Sequence, residues 1–220
     1  MKSSLFQPRD RVLIEGRVKS LLNDHSDFLS AETADSPRAA GDAIEEIIKD
    51  GFATILGEYC VEYSDSFARR AMADLAFKDP GGNYYVVDVK THREGTVFNM
   101  PNLTSVDRLA RFYEDDSNYF VVLLVKYAVC GTSVAVSQVL FHPIEHLSWE
   151  CLTLGALGKG QIQIANAKHI EIDDNKSRKR WMLEFCDNLL EFYPREIRKI
   201  ELRMQQFEKV KAFWQAKRED

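Results

Sequence analysis

The sequence contains no apolar run approaching the roughly 20 residues that span a bilayer. Its opening, MKSSLFQPRDRVLIEGRVKS, has no apolar block of a secretory leader. A soluble, cytoplasmic protein with no membrane partner is therefore expected. Cysteine is scarce. Cys60, Cys130, Cys151 and Cys186 are scattered with no CxxC pair, which excludes a disulfide frame and a cysteine-rich zinc cluster and predicts reduced, mostly buried thiols. Internal repeats, low-complexity tracts and Pro/Gly/Ser-rich linkers are also missing, so a single domain over 1–220 is expected. Basic charge is in deficit, with 29 Lys plus Arg against 34 Asp plus Glu and a formal net charge of -5. Taken alone, that balance argues against a partner as acidic as nucleic acid. The deficit is uneven, because residues 175–220 carry 12 basic and 8 acidic side chains while residues 1–174 carry a balance of -9.

What is present is enough apolar material, 45% of 220 residues, for one well-formed core. Val12, Leu13, Val18, Leu21 and Leu22 predict a first helix from Pro8 to about Leu22. A polar stretch to Ser36 follows, and Pro37 suits the first turn of a second helix over 37–56. Short runs rich in Val, Tyr and Phe predict strands at Tyr59–Tyr63, Asp74–Lys78 and Tyr84–Lys90. The last two are joined as a hairpin by Asp79-Pro80-Gly81-Gly82-Asn83. Leu103–Tyr113 has helical spacing, whereas YFVVLLVKY at Tyr119–Tyr127 reads as a strand buried on both faces. Strands at Val134–Phe141 and Gln161–Ile170, a short helix near Pro143–Leu152 and helices at 176–193 and 194–217 complete an α/β pattern with a mixed sheet. Three regions are expected: an N-terminal helix and arm (1–36), a core (37–170) and C-terminal helices (171–220).

The hairpin carries the chemistry. A symmetric five-residue loop over 79–83 sets Lys78 opposite Tyr84, Ala76 opposite Val86 and Asp74 opposite Asp88. Directly opposed residues share a face with Cβ atoms about 5 Å apart, so the two carboxylates repel unless a cation lies between them. Asp88 and Lys90 project from one face of their strand, while Val89 turns its side chain away and offers its backbone carbonyl. Hard oxygen ligands of this kind suit Mg²⁺, and Lys90 is placed to orient or help deprotonate an attacking water in phosphodiester hydrolysis. A one-residue slip of the hairpin would remove Asp74 from that face.

Ala73-Asp74-Leu75 followed, with 13 residues intervening after Asp74, by Asp88-Val89-Lys90-Thr91 resembles the PD-(D/E)xK nucleases, with Ala73 where proline is usual. Within them it is most similar to the type II restriction endonucleases of the EcoRV/HincII-like branch, over roughly residues 37–215. The likeness includes the helix with Ala40-Gly41 and Glu45, the loop Asn99-Met100-Pro101-Asn102 and the Gln161-Ile162-Gln163-Ile164 strand. It implies a restriction-endonuclease-like core, a central mixed β-sheet flanked by helices. It implies Asp74, Asp88 and the Val89 carbonyl as Mg²⁺ ligands, Lys90 as the catalytic lysine, and Glu45, in preference to Glu46, as a supporting carboxylate. Mn²⁺ is expected to substitute for Mg²⁺, and Ca²⁺ to permit binding without cutting. Thr91, His92, Arg93, Asn99 and Asn102 are implied DNA contacts. Arg70 either contacts phosphate or serves solubility, and Gln161 and Gln163 either line a groove or form a polar sheet surface. The activity implied is a homodimeric endonuclease of a restriction-modification system, cutting double-stranded DNA at a short palindrome to blunt ends with 5′-phosphates. A structure-selective repair or junction-resolving nuclease of the same fold, and a catalytically silent DNA-binding dimer, stay open as alternatives.

Two other motifs lead elsewhere. His142-Pro143-Ile144-Glu145-His146 spells the H-x-x-E-H of some zinc proteases, but Pro143 keeps His142 from helical angles, so the two imidazoles are not expected on one helix face. Gly155–Gly160 lacks the Gly-Lys-Ser/Thr ending of a phosphate-binding loop and predicts a turn. Lys176, Arg178, Lys179 and Arg180 are candidates to follow a phosphate backbone.

Overall fold

The first long helix, α1 (Pro8–Asp24), opens on a proline and buries Ile14, Val18 and Leu22, four residues apart on one stripe. The computed structural model describes residues 3–25, 28–64, 73–96, 101–156, 158–165 and 170–218. A five-residue helix, α2 (Ala31–Asp35), leads into α3 (Pro37–Leu56). The Ser36 hydroxyl caps α3 by accepting from the Ala39 amide at 3.3 Å, and Gly57 ends it at φ +55°, a left-handed angle that suits glycine. Its inward stripe of Ala40, Ile44, Ile48, Phe52 and Ile55 is buried, matching the range read from the sequence.

Five strands form the main sheet: β1 (Glu62–Ser64), β2 (Leu75–Lys78), β3 (Tyr84–Arg93), β5 (Asn118–Cys130) and β6 (Ser133–Pro143), adjacent in that order. Only β3 and β5 run parallel, so the sheet is mixed and the α/β expectation holds at that level. A second, antiparallel sheet orders β4 (Asn102–Ser105), β8 (Gln161–Ile164) and β7 (Leu152–Gly155). Two apolar clusters lie on opposite faces of the main sheet. Tyr85, Val87, Val121 and Leu123 pack with α1 and α3 on one side; Val86, Phe120 and Val122 pack with Ile162, Trp181 and Phe185 on the other. That two-sided burial explains the continuous apolar run of β5. Among the described residues no helix is long and apolar enough to cross a membrane.

Several expectations need correction. The helix read over Leu103–Tyr113 starts later, as α4 (Val106–Phe112), because Asn102–Ser105 pairs with Gln161–Gln163 as strand β4 before Ser105 caps the helix through the Arg108 amide. The helix near Pro143–Leu152 is one 3₁₀ turn, Ile144–His146, followed by strand β7, which the sequence reading missed. The two terminal helices are one, α5 (Arg178–Gln215), running through Pro194. Its missing amide forfeits one ladder bond, and the helix continues through it with no residue from 193 to 218 buried. Of the four cysteines only Cys151 is buried; Cys130 and Cys186 are exposed and Cys60 is half-buried.

Candidate active site

The β2–β3 hairpin fixes the geometry. In its loop the Asp79 carboxylate accepts from the Asn83 amide at 2.8 Å and Gly82 takes φ +82°. The register runs as the symmetric loop predicts, with Lys78 opposite Tyr84, Ala76 opposite Val86 and Leu75 opposite Val87. Strand β2 stops there. Asp74 lies one residue beyond, its amide donating to the Val87 carbonyl at 3.0 Å and its carboxylate accepting from the Val89 amide at 2.8 Å. The amide and carbonyl of one strand residue point to the same edge. The Val89 carbonyl therefore faces the edge that β2 vacates, where the Lys90 ammonium approaches it at 3.4 Å.

Asp88 is 4% exposed although it sits in a charged neighbourhood. One carboxylate oxygen accepts from Lys90 Nζ at 2.7 Å. The other, Oδ2, has no hydrogen-bond partner, and it is the one oxygen among the buried side-chain polar atoms left so in the described residues. Burial pushes the Asp88 carboxyl up to about 7; Lys90 opposes this, while the charges of Asp74 and Glu45 add to it. The sum is a site in which negative charge is under-compensated and one buried carboxylate oxygen has no hydrogen-bond partner. Such a donor set fits a hard divalent cation: carboxylate oxygens of Asp74 and Asp88 with the Val89 carbonyl close by.

Glu45 comes from α3, half-buried and ion-paired with Lys49, while Glu46 is exposed. It lines a cleft of about 340 Å³ with Lys90, Thr91, His92 and Arg93. Gly41 lets α3 approach β3 here, since a Cβ at that position would lie 2.5 Å from Thr91 Oγ1. His92 is held below the usual imidazole range by burial and by Lys126. Arg93 donates to the Ala34 carbonyl at 2.6 Å, which ties α2 to the rim.

The remaining expected contacts scatter. Asn102 and Gln163 meet across β4 and β8, the Gln163 amide donating to Asn102 Oδ1 at 2.7 Å, and Gln161 is half-buried on the same strand. Arg70 and Asn99 lie outside the described residues. Three of the basic residues on the last segment are already engaged, among them Lys176 with Glu184 at 2.7 Å and Arg178 with buried Glu145 at 2.9 Å. Tyr113 donates to the same Glu145 at 2.6 Å, and the Arg178 guanidinium lies 4.4 Å above the rings of Tyr113 and Tyr119. Arg178 thus anchors the start of α5 to the sheet. Lys179 is exposed, and Arg180 pairs with Glu184 at 3.3 Å.

A second cluster, missed in the sequence, lies at the far end of β6. His142, His146 and Asp174 offer one ligand atom each within 4.8 Å of one another. As Pro143 predicts, the two histidines share no α-helix: His142 is in β6 and His146 ends the 3₁₀ turn. Only Asp174, distant in sequence, completes the group, so no local spacing announces it. Arg11 donates to His142 Nε2 at 2.9 Å and to Asp174 at 3.2 Å. Burial and Arg11 lower the His142 imidazole to about 3, which keeps it neutral. With Nε2 accepting, the ring proton resides on Nδ1, 3.4 Å from Asp174 but without a hydrogen bond. A metal at Nδ1 requires the opposite tautomer, so this group fits an Arg11-centred structural network better than a metal centre.

The chain matches no known protein-family profile, and no curated protein sequence matches it.

Proposed function

We propose that the chain is a Mg²⁺-dependent endonuclease of the PD-(D/E)xK type, acting on double-stranded DNA as a homodimer, with the mixed sheet and α3 forming a restriction-endonuclease-like core. The observation that carries this reading is the buried, unpartnered Oδ2 of Asp88 beside Asp74, Lys90 and Glu45 at the open end of β2. A carboxylate pair costs the fold stability, and a cation between its members relieves that cost. Asp74, Asp88 and the Val89 carbonyl would hold Mg²⁺, with Glu45 supporting them. The bound ion would supply Lewis acidity toward a phosphodiester oxygen and acidify water.

The chain's own groups supply the rest. Lys90 sits where its ammonium can steady developing phosphate charge, and its bond to Asp88 fixes its position along β3. Thr91 and His92 continue the strand along the cleft wall, where a backbone phosphate would pass. The acid excess of residues 1–174 partly reflects this carboxylate cluster, which favours a polyanion only once a cation is bound, so divalent-dependent and salt-sensitive binding is expected.

The test is incubation of plasmid and genomic DNA with the protein and Mg²⁺, alongside Asp88→Ala. Discrete fragments from the wild type alone support a site-specific enzyme, and end sequencing then reads the site and cut position. Cutting only at junctions or damaged sites favours the repair nuclease of the same fold. No cleavage of varied sequences in Mg²⁺ or Mn²⁺ defeats the nuclease reading. Ca²⁺ is expected to support DNA binding without cleavage, and robust cutting in Ca²⁺ contradicts the proposed site.

A further inference from the structure

Beyond Phe192 the last helix buries no further residue, and along α5 one stripe of exposed residues repeats at alternating spacings of three and four, with Leu202, Val210 and Phe213 exposed beside it. Leu183, Leu190, Ile197, Met204 and Lys211 are spaced by seven; so are Cys186, Tyr193, Ile200, Phe207 and Trp214, each three residues later. These are the a and d positions of a heptad repeat. The face is exposed along its length, at 72% for Leu190, 64% for Phe207 and 62% for Trp214. It is distinct from the inward side of the same helix, where Trp181, Phe185 and Phe192 are buried.

The geometry points to a second copy of this chain as the occupant, paired antiparallel through Leu183–Trp214. Set so that Ile197 faces the partner's Ile200, every seam position finds a match. Leu190 meets the partner's Phe207, Met204 the partner's Tyr193 and Trp214 the partner's Leu183. In this register Glu196 flanks the partner's Arg203, twice by symmetry. Lys211, the one charged seam residue, faces the partner's Cys186 next to the partner's Asp187. A parallel pair would instead set Lys211 against itself and Glu196 beside the partner's Glu201, both repulsive. The seam is about 48 Å long and about 10 Å wide, giving roughly 1,000 Å² over both helices, the size a specific interface needs.

This pairing deepens the homodimer of the nuclease reading but is measured without DNA or metal, so either can fail alone. Sedimentation of the full chain is expected to show a dimer at low micromolar concentration, and Ile200→Glu/Phe207→Glu to weaken it at least about 100-fold. Both positions are exposed in the protomer, so circular dichroism should show its fold intact. Lys211→Leu is expected to tighten the dimer, an effect misfolding cannot mimic. In a Cys60→Ser/Cys130→Ser background, oxidation should leave the chain uncrosslinked, and adding Lys211→Cys should yield a disulfide dimer through the partner's Cys186. A monomer at 100 μM, or a dimer indifferent to the double Glu variant, overturns the proposal. Crosslinking through Cys186 alone overturns the antiparallel register.

Discussion

Asp88→Asn should stabilise the protein in the absence of divalent ions. Its carboxyl is raised from 3.8 to about 7, first by burial and then by the neighbouring acids, against the pull of Lys90. Between those two values the folded chain keeps a proton that the unfolded chain releases, so the wild type loses stability as pH rises through this window and levels off above it. A shift of roughly 3 units sets a ceiling of about 4 kcal/mol on that loss. Asparagine removes the charge but replaces the 2.7 Å charge-assisted bond from Lys90 with a weaker one to a neutral amide oxygen, the Val89 carbonyl staying 3.4 Å from the ammonium. That returns about 1–2 kcal/mol, for a net gain of about 2 kcal/mol above pH 7.5, or roughly 4–8 °C in a chain of this size. Thermal melts in EDTA between pH 4.5 and 8.5 measure it. The advantage should shrink toward pH 4.5, and Mg²⁺ or Mn²⁺ should raise the wild-type melting temperature while leaving the variant's unchanged. A variant no more stable than wild type at pH 8, or an advantage that grows as pH falls, refutes the reasoning.

Lys90→Ala should cut DNA cleavage by about 10²–10⁴-fold while keeping the metal-induced thermal shift, whereas Asp74→Ala should lose both; retention of cleavage by either contradicts the site. Gly41→Ala places a Cβ 2.5 Å from Thr91 Oγ1 and should cost about 1–3 kcal/mol in urea unfolding, most of it regained in Gly41→Ala/Thr91→Ala; a single variant as stable as wild type would show that α3 can move away from β3. Arg178→Met strands the buried Glu145 carboxylate and should cost about 3–5 kcal/mol, largely recovered by Glu145→Gln in the same chain.

The hairpin was legible because its register is set locally: a five-residue loop and alternation set the pairing from Lys78–Tyr84 to Leu75–Val87 with no knowledge of the rest of the fold. The same holds for α3, whose cap, proline and four-residue stripe all lie within its own sequence. Asn102–Ser105 was misread because four apolar-polar residues are as compatible with a helical start as with a strand. What decides is the distant partner Gln161–Gln163, invisible to local spacing. Strand β7 was missed for the same reason. Asp174 reaches the histidines of β6 only through tertiary structure, as Glu145 reaches Arg178. Pro194 misled in the other direction, since a proline inside a helical pattern reads as a boundary, whereas α5 runs through it.

Two features among the described residues depart from rules that comparable groups nearby obey. Buried carboxylates find partners, as Glu145 does from both Arg178 and Tyr113, yet Asp88 at 4% exposure keeps a bare oxygen among like charges. Apolar helix stripes find a core, as α3's does, yet the heptad stripe of α5 faces outward. Each departure opposes stability in the isolated protomer, and each is relieved by a different kind of binding: a cation in the first case, a matching apolar helix in the second. The two sites lie on separate elements, the β2–β3 hairpin and the distal half of α5. Substitutions at one are therefore expected to leave the other's ligand affinity unchanged, with Asp88→Asn sedimenting as wild type and Ile200→Glu/Phe207→Glu keeping the metal-induced thermal shift. Loss of metal binding on breaking the helix pair would instead mean that the carboxylate site is assembled only in the dimer.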